Sequence, residues 1–196
     1  DGWNNKAYVN NRVVRYIDFL GCGALDASNS AYVSFTTQSG QTYSQYVWTE
    51  KGLVDMILNN TNNGSDKITS FTFTGHGADV EGGCLMLDAS NNIALTSTDF
   101  SVPSDAVKIA IENGIIDPTF GYAIHEAFAD SITITFNACY QGSYLDDYLS
   151  SFPNATATGY TGELLPIGPL SWETVMAHPR SWFSGEWITA HGSAKE

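Results

Sequence analysis

Two segments that each end on a reactive side chain constrain this sequence most. The first covers 68–74 and leads into Gly75-His76-Gly77, and the second covers 131–138 and leads into Cys139. Apolar residues alternate with threonine and serine in both segments, and this pattern predicts β-strands. In open parallel sheets, ligands bind at the carboxyl ends of the strands. We therefore expect the two strands to be parallel neighbours that bring His76 and Cys139 to one sheet edge.

Helical and strand patterns alternate along the rest of the chain. The apolar residues of 50–58 recur with a helical period, and an Asn-Gly-Ser cluster at 62–65 ends that pattern. Strands interleaved with helices predict an α/β sandwich with a largely parallel sheet. The further expected elements are a hairpin of 32–37 with 43–48, a hairpin of 85–87 with 93–95, a helix from Tyr144 and a strand at 155–161.

The pairing of His76 with Cys139 predicts nucleophilic chemistry. An imidazole beside a thiol can activate the thiolate and later protonate a leaving amine. Gly77 allows close backbone approach, and its N–H with that of Cys139 can form an oxyanion hole. Cys84, in Gly82-Gly83-Cys84-Leu85, has no reactive neighbour in sequence and is interpreted as structural.

The order strand-His-Gly and then strand-Ala-Cys, followed by Gly142-Ser143, resembles the clan CD cysteine peptidases, which include caspases, metacaspases, paracaspases, legumains and gingipains. The resemblance covers about residues 68–176. It implies a caspase-like three-layer α/β sandwich with a mostly parallel central sheet, and a cysteine endopeptidase that acts through a thioester. The 63 positions from His76 to Cys139 exceed the usual interval, so we expect an insertion around 113–130.

The same resemblance implies substrate-binding positions. Asn137, two residues before the nucleophile, corresponds to a position that lines the pocket for the P1 side chain. Ser171-Trp172-Glu173 resembles the caspase Ser-Trp-Arg segment, with Glu173 where the arginine stands. A buried carboxylate there favours Arg or Lys at P1. Glu163 is the other candidate acid. Two solvated glutamates, and a neutral P1 residue, remain alternatives.

The charge of the chain bears on its partners. A formal net charge of -13, from 21 acidic and 8 basic residues, disfavours nucleic-acid binding and attracts basic segments. The alternative is that this charge only maintains solubility. We expect a protein or peptide substrate and no membrane insertion, since no apolar run approaches membrane-spanning length.

No cofactor or metal is expected. The three cysteines, Cys22, Cys84 and Cys139, make no disulfide framework and no zinc-ligand spacing. The oxygen-rich run 88–92 lacks the spaced glutamate of a calcium loop, so a plain turn is the preferred interpretation.

The first 21 residues resemble the closing segment of the core domain of Rhs/YD-repeat proteins, through Tyr8-Val9-Asn10-Asn11 and Asp18-Phe19-Leu20-Gly21. Val13 and Phe19 depart from that pattern, which usually has proline there. The resemblance implies a junction segment at 1–23, a peptidase domain at 24–196 and an Rhs-type carrier for a toxin-like effector. The absence of an initial Met predicts a piece of a larger protein, either cytoplasmic or delivered.

Three further histidines are alternative bases: His125, His178 and His191. A pair of Cys139 with His191 would follow the papain-like order. Two alternatives in function share the same site. One is a catalytically inactive caspase-like module that binds peptides, and the other is a thiol acyl-hydrolase acting on a non-peptide ester. A serine hydrolase is disfavoured because no G-x-S-x-G motif is present.

Overall fold

The computed structural model describes residues 30–166 and 185–193, together with the backbone of 8–9, 12–13, 16–17 and 175–177. Side chains are described for 30–164 and 185–193. The strands are β1 (Tyr8–Val9), β2 (Arg12–Val13), β3 (Tyr16–Ile17), β4 (Ala31–Thr37), β5 (Thr42–Val47), β6 (Ile68–Thr74), β7 (Gly77–Asp79), β8 (Cys84–Asp88), β9 (Ile93–Leu95), β10 (Phe128–Asn137), β11 (Thr156–Tyr160), β12 (Leu164–Pro166), β13 (Val175–Ala177) and β14 (Trp187–His191). The α-helices are α1 (Glu50–Asn60), α2 (Asp105–Glu112), α3 (Phe120–Ala127) and α4 (Leu145–Leu149), and 3-10 turns cover Ser97–Phe100 and Gln141–Tyr144.

A six-stranded sheet in the order β14-β11-β10-β6-β4-β5 forms the centre of the fold. Strand β10 is parallel to both of its neighbours, β6 and β11. Strand β4 is antiparallel to β6 and to β5, and β14 is antiparallel to β11. The α/β class is therefore confirmed, but the expected largely parallel sheet is found only at the centre. The β4–β5 hairpin and β14 add antiparallel strands on both sides.

The two faces of this sheet differ in polarity, because apolar residues alternate with hydroxyl residues along the strands. One face is buried and carries Val33, Phe35, Phe71, Phe73, Ile132, Ile134, Phe136 and Ala157. The opposite face is half-buried or exposed and carries Ser34, Thr36, Ser70, Thr72, Thr133, Thr135, Thr156 and Thr158. Helices α1, α3 and α4 bury their apolar residues in the same cluster as the apolar face. These three helices form one layer over the apolar face, and the three-layer caspase-like arrangement stays a prediction.

Capping and one polar contact fix the helices over this face. The Thr49 side chain accepts a hydrogen bond from the Gly52 N–H and caps α1, and the Thr119 side chain caps α3. The Glu50 carboxylate accepts a hydrogen bond from the Phe120 N–H at 2.9 Å, which joins the first turns of the two helices. Full burial of an aliphatic or aromatic side chain such as those beneath these helices contributes about 1.5–3 kcal/mol.

A four-stranded sheet in the order β3-β7-β8-β9 continues from the His76 end of β6. Strand β7 begins at Gly77, directly after His76, and is antiparallel to β8. The backbone of β3 pairs with β7, with Tyr16 opposite Asp79. The domain boundary between 23 and 24 stays a prediction. The direct test of this boundary is whether a chain that begins at residue 25, and therefore lacks β3, still folds.

Most of the predicted local elements are confirmed with shifted ends. The predicted helix 50–58 is α1, and both predicted hairpins are present as β4–β5 and β8–β9. The second key strand begins at Phe128 rather than at 131. The long interval between His76 and Cys139 contains β7 to β9, a 3-10 turn, α2 and α3.

Candidate active site

The carboxyl ends of β6 and β10 meet at one edge of the main sheet. Thr74 at the end of β6 lies opposite Asn137 at the end of β10, and Phe73 lies opposite Phe136. The pairing continues one step further, because the Gly75 N–H donates to the Asn137 carbonyl at 3.2 Å. His76 is two residues after Thr74, and Cys139 is two residues after Asn137. The expectation that the two strands are parallel neighbours is confirmed.

Gly77 brings the residue after His76 into contact with the backbone of Cys139. A Cβ atom placed on Gly77 would lie 2.3 Å from the Cys139 carbonyl oxygen and 2.8 Å from its nitrogen. Both are backbone atoms and cannot rotate away. Only glycine therefore allows the two strand ends to approach this closely. The sequence singled out Gly77 as an oxyanion donor; its packing against Cys139 is a second reason for glycine there.

The thiol of Cys139 is buried beneath the start of β12. Its side chain is 0% exposed. The Leu164 N–H donates a hydrogen bond to the Cys139 Sγ at 3.1 Å, and the Leu164 carbonyl lies 3.6 Å from the same sulfur. Leu164, Tyr160 and Cys139 form one small apolar cluster. Both peptide groups of Leu164 thus occupy the space next to the sulfur, where an attacked carbonyl group would have to lie. We refer to this contact as the Leu164 cap.

The chain bends sharply immediately after Cys139. Tyr140 has φ 64° and ψ -1°, a left-handed conformation that is uncommon for a residue other than glycine. Its N–H donates to the Gly162 carbonyl at 2.8 Å, and its hydroxyl donates to the Glu163 carboxylate at 2.8 Å. Backbone strain of this kind is concentrated at functional sites.

The bend is fixed from the next strand as well. Gly142 packs against Gly159 of β11, since a Cβ on Gly142 would lie 2.8 Å from the Gly159 carbonyl oxygen. The turn that follows Cys139 is therefore held between β11 and the segment 160–164.

Glu163 is a buried acidic residue at this edge, with 5% of its surface exposed. It lies between Gly162 and Leu164, which contact Tyr140 and Cys139 respectively. His76 is 7% exposed, so the candidate base is also largely shielded from water. The site as a whole is enclosed in the described structure.

Asn137 lies at the same edge, half-buried, and its side-chain amide donates to the Thr74 hydroxyl at 3.2 Å. The other predicted substrate-binding residues, Ser171, Trp172 and Glu173, lie outside the described residues. So do Cys22 and His178.

Two of the alternative bases are far from Cys139. His125 belongs to α3, which directly precedes β10, and β10 extends from Phe128, opposite Ile68, to Asn137, opposite Thr74, over about 20 Å. His191 lies opposite Thr156, which is itself opposite Thr133 near the amino end of the parallel strands. Six residues separate Thr133 from Cys139, or about 20 Å along the strand. The papain-like pair of Cys139 with His191 is therefore excluded by the topology.

Cys84 is a thiol at the start of β8, where it lies opposite Ala78. It is 0% exposed, and burial raises its pKa to about 12. A thiol with this pKa is protonated at neutral pH and is a poor nucleophile. The position agrees with the structural role inferred from the sequence.

Gln141 is a buried residue of this site that sequence patterns do not reveal. It is 0% exposed, and its amide contacts the Cys139 carbonyl and the Tyr148 hydroxyl. The only signal in the sequence is its place two residues after the candidate nucleophile, since a glutamine on a turn is normally solvated.

The structure also bears on metals and membranes. Among the described side chains, no group of three or more His, Cys, Asp or Glu residues could hold a metal ion. Asp88 accepts hydrogen bonds from Ser90 and Asn91 and forms a closed turn at the place considered for calcium.

No helix in the described part of the chain is long and apolar enough to cross a membrane.

Comparisons of the chain with protein-family models, with curated proteins and with solved structures found no match.

Proposed function

We propose that this chain is a cysteine endopeptidase in which Cys139 is the nucleophile and His76 the general base and acid. The observation that carries the proposal is the placement of the two residues at the ends of adjacent parallel strands, with Gly77 against the Cys139 backbone. A thiol and an imidazole at one sheet edge are the minimum set for thiol-dependent acyl transfer.

In the proposed reaction, the His76 imidazole takes the proton of the Cys139 thiol. The Cys139 Sγ then attacks the scissile carbonyl carbon, and the carbonyl electrons move onto the oxygen. The N–H groups of Gly77 and Cys139 stabilise this oxyanion. Collapse of the intermediate breaks the C–N bond, and the imidazolium gives its proton to the leaving amine. Water, activated by His76, hydrolyses the thioester and restores the thiol.

Substrate entry requires displacement of the Leu164 cap. The cap occupies the position next to Sγ with one N–H and one carbonyl, the two groups that a substrate backbone also presents. A peptide substrate can therefore replace the cap contacts with contacts of the same kind. A catalytically inactive peptide-binding module is the second candidate function, and the complete burial of the Cys139 thiol is the observation that favours it.

The finer proposal is cleavage after Arg or Lys. Glu163 supports it, because this buried carboxylate lies beside Leu164 and contacts Tyr140, the residue that follows Cys139. A guanidinium or ammonium group at P1 would be stabilised by such a carboxylate. Glu173 remains the acid implied by the family resemblance. The proposal of an effector carried by an Rhs-type protein rests on the resemblance of residues 1–21 alone.

The test is a peptide library digested by the purified chain and by three variants. We expect Cys139→Ala and His76→Ala each to lower kcat/KM by at least about 10³-fold, since members of a catalytic unit have effects of this size. Cys84→Ala is the matched control, and it should retain most of the activity. Circular dichroism of each variant establishes that it is folded. Turnover near the wild-type level by folded Cys139→Ala would refute the proposal.

A thiol-directed peptide probe separates the two candidate functions. An active peptidase forms a covalent adduct at Cys139 that requires His76. An inactive module binds the same peptide reversibly and forms no adduct.

A further inference from the structure

Gln141 has a buried side-chain amide with partners on three different elements. Its Nε2 donates to the Cys139 carbonyl oxygen at 2.7 Å and approaches the Ala78 carbonyl oxygen of β7 at 3.5 Å. Its Oε1 accepts a hydrogen bond from the Tyr148 hydroxyl of α4 at 2.5 Å. Both carbonyls only accept hydrogen bonds, so the amide nitrogen must face them. The orientation of the amide is thereby fixed by its surroundings.

Two glycines make room for this amide. A Cβ on Gly77 would lie 2.8 Å from the Gln141 Nε2, and a Cβ on Gly83 would lie 2.9 Å from its Oε1 and 2.4 Å from the Tyr148 hydroxyl oxygen. Gly83 also has φ 70°, a conformation that favours glycine. The β7–β8 hairpin is therefore shaped around the pair of Gln141 and Tyr148.

The contacts of Gln141 join the two strand ends that carry the catalytic pair. Ala78 is two residues after His76 on β7, and Cys139 ends the extension of β10. The Cys139 carbonyl oxygen faces Gly77 and accepts the hydrogen bond of the Gln141 amide, and a buried carbonyl of this kind needs such a partner. Holding this carbonyl fixes the orientation of the Cys139 main chain.

We propose that Gln141 is a positioning residue, which sets the Cys139 backbone and Gly77 in the geometry that the oxyanion hole requires. This inference rests on the proposed peptidase function. Tyr148 acts one step further away by fixing the amide. The transition state, in which negative charge develops on the carbonyl oxygen, depends on this geometry more than substrate binding does.

The experiment uses Gln141→Met, which keeps the length of the side chain but cannot donate, and Tyr148→Phe, which removes only one hydroxyl. Gln45→Met, at an exposed position of β5, is the matched control. We expect Gln141→Met to lower kcat at least tenfold while KM changes less than threefold. Tyr148→Phe should lower kcat at least threefold, and Gln45→Met should leave both constants unchanged. A folded Gln141→Met with kcat within twofold of wild type would overturn the inference. If Gln141→Met does not fold, Tyr148→Phe decides. A kcat lowered at least threefold supports the inference, and a kcat within twofold of wild type overturns it.

Amide hydrogen exchange provides a readout that does not depend on turnover. We expect Gln141→Met to accelerate exchange in peptides that cover 75–80 and 137–141, without a change in α1. If the wild-type chain cleaves no peptide, the proposed function has failed, and exchange alone decides whether Gln141 holds the two strand ends. Unchanged exchange at both segments would overturn that role as well.

Discussion

The main-chain N–H of Leu164 donates a hydrogen bond to the Cys139 Sγ at 3.1 Å, across 25 positions of sequence. The candidate nucleophile is therefore covered by the protein's own backbone. Reagents reach the sulfur only when the segment around Leu164 opens, and such local opening has its own free energy. This relationship gives the first prediction.

Loosening the Leu164 cap should make Cys139 more reactive. Leu164 is fully buried, so Leu164→Ala should destabilise the packing at the cap by about 2–5 kcal/mol. We expect its Cys139 to react with iodoacetamide at least tenfold faster than in the wild type, as measured by site-resolved mass spectrometry. Leu53→Ala, at a fully buried position of α1, is the control for general destabilisation. Equal acceleration in both variants would show that the thiol is exposed by global unfolding and not by the cap.

A methyl group at position 77 should separate the two strand ends. In Gly77→Ala the new Cβ meets backbone atoms of Cys139 at 2.3 Å and 2.8 Å, so the chain must shift. Overpacking of this kind costs about 1–3 kcal/mol. For a chain of this length, the melting temperature should fall by roughly 2–12 °C.

Peptidase activity should fall much further than stability in Gly77→Ala, because the shift moves one proposed oxyanion donor. Gly52→Ala is the control, since its Cβ would meet only the Thr49 side chain, at 3.2 Å. A Gly77→Ala variant with unchanged melting temperature and activity contradicts the close approach of the two strands.

The P1 preference should depend on Glu163. If its carboxylate pairs with a basic P1 side chain, Glu163→Gln removes a contribution of about 2–5 kcal/mol. The ratio of kcat/KM for Arg over neutral P1 substrates should then fall by more than tenfold. Glu112→Gln, at an exposed position of α2, makes the same charge change away from the site. Glu173→Gln tests the acid that the family resemblance implies. A preference that survives Glu163→Gln but is lost in Glu173→Gln would assign the role to Glu173.

Folding stability should depend on pH through His125. Burial lowers the pKa of this imidazole from 6.5; the hydrogen bond with the Phe100 carbonyl and nearby Glu126 oppose the shift, and Lys108 reinforces it. Since the folded-state pKa is below the unfolded one, the unfolded chain binds the proton first as the pH falls. The stability contribution of His125 is present above about pH 6.5 and is lost as the pH falls through the folded-state pKa.

The measurement for His125 is the melting temperature between pH 8 and pH 5, compared with His125→Phe. The phenylalanine preserves the stacking on Phe152, whose ring centroid lies 4.5 Å from that of His125. We expect the wild type to lose more stability than the variant over this range. Parallel pH profiles would mean that His125 titrates with the same pKa in both states.

The sequence alone determined the strands that carry the proposed catalytic pair, His76 and Cys139. Apolar residues alternate with hydroxyl residues along 68–74 and 131–137, and a sheet with one buried face requires that alternation. Burial of Phe71 and Phe73 next to Ile134 and Phe136 then fixes the register. This register places His76 and Cys139, 63 positions apart, each two residues beyond the paired Thr74 and Asn137.

Only the tertiary structure decided what surrounds that pair. The Leu164 cap, the contact of Tyr140 with Glu163 and the amide of Gln141 between Ala78 and Tyr148 join residues from different elements. A local period in hydrophobicity carries no information about these contacts, since they depend on the strand order and on the bend at Tyr140. The antiparallel strands at the sheet edges could not be predicted from a local period either. Strand patterns specify which face is buried, whereas the direction of a neighbouring strand is set by how the connecting chain returns.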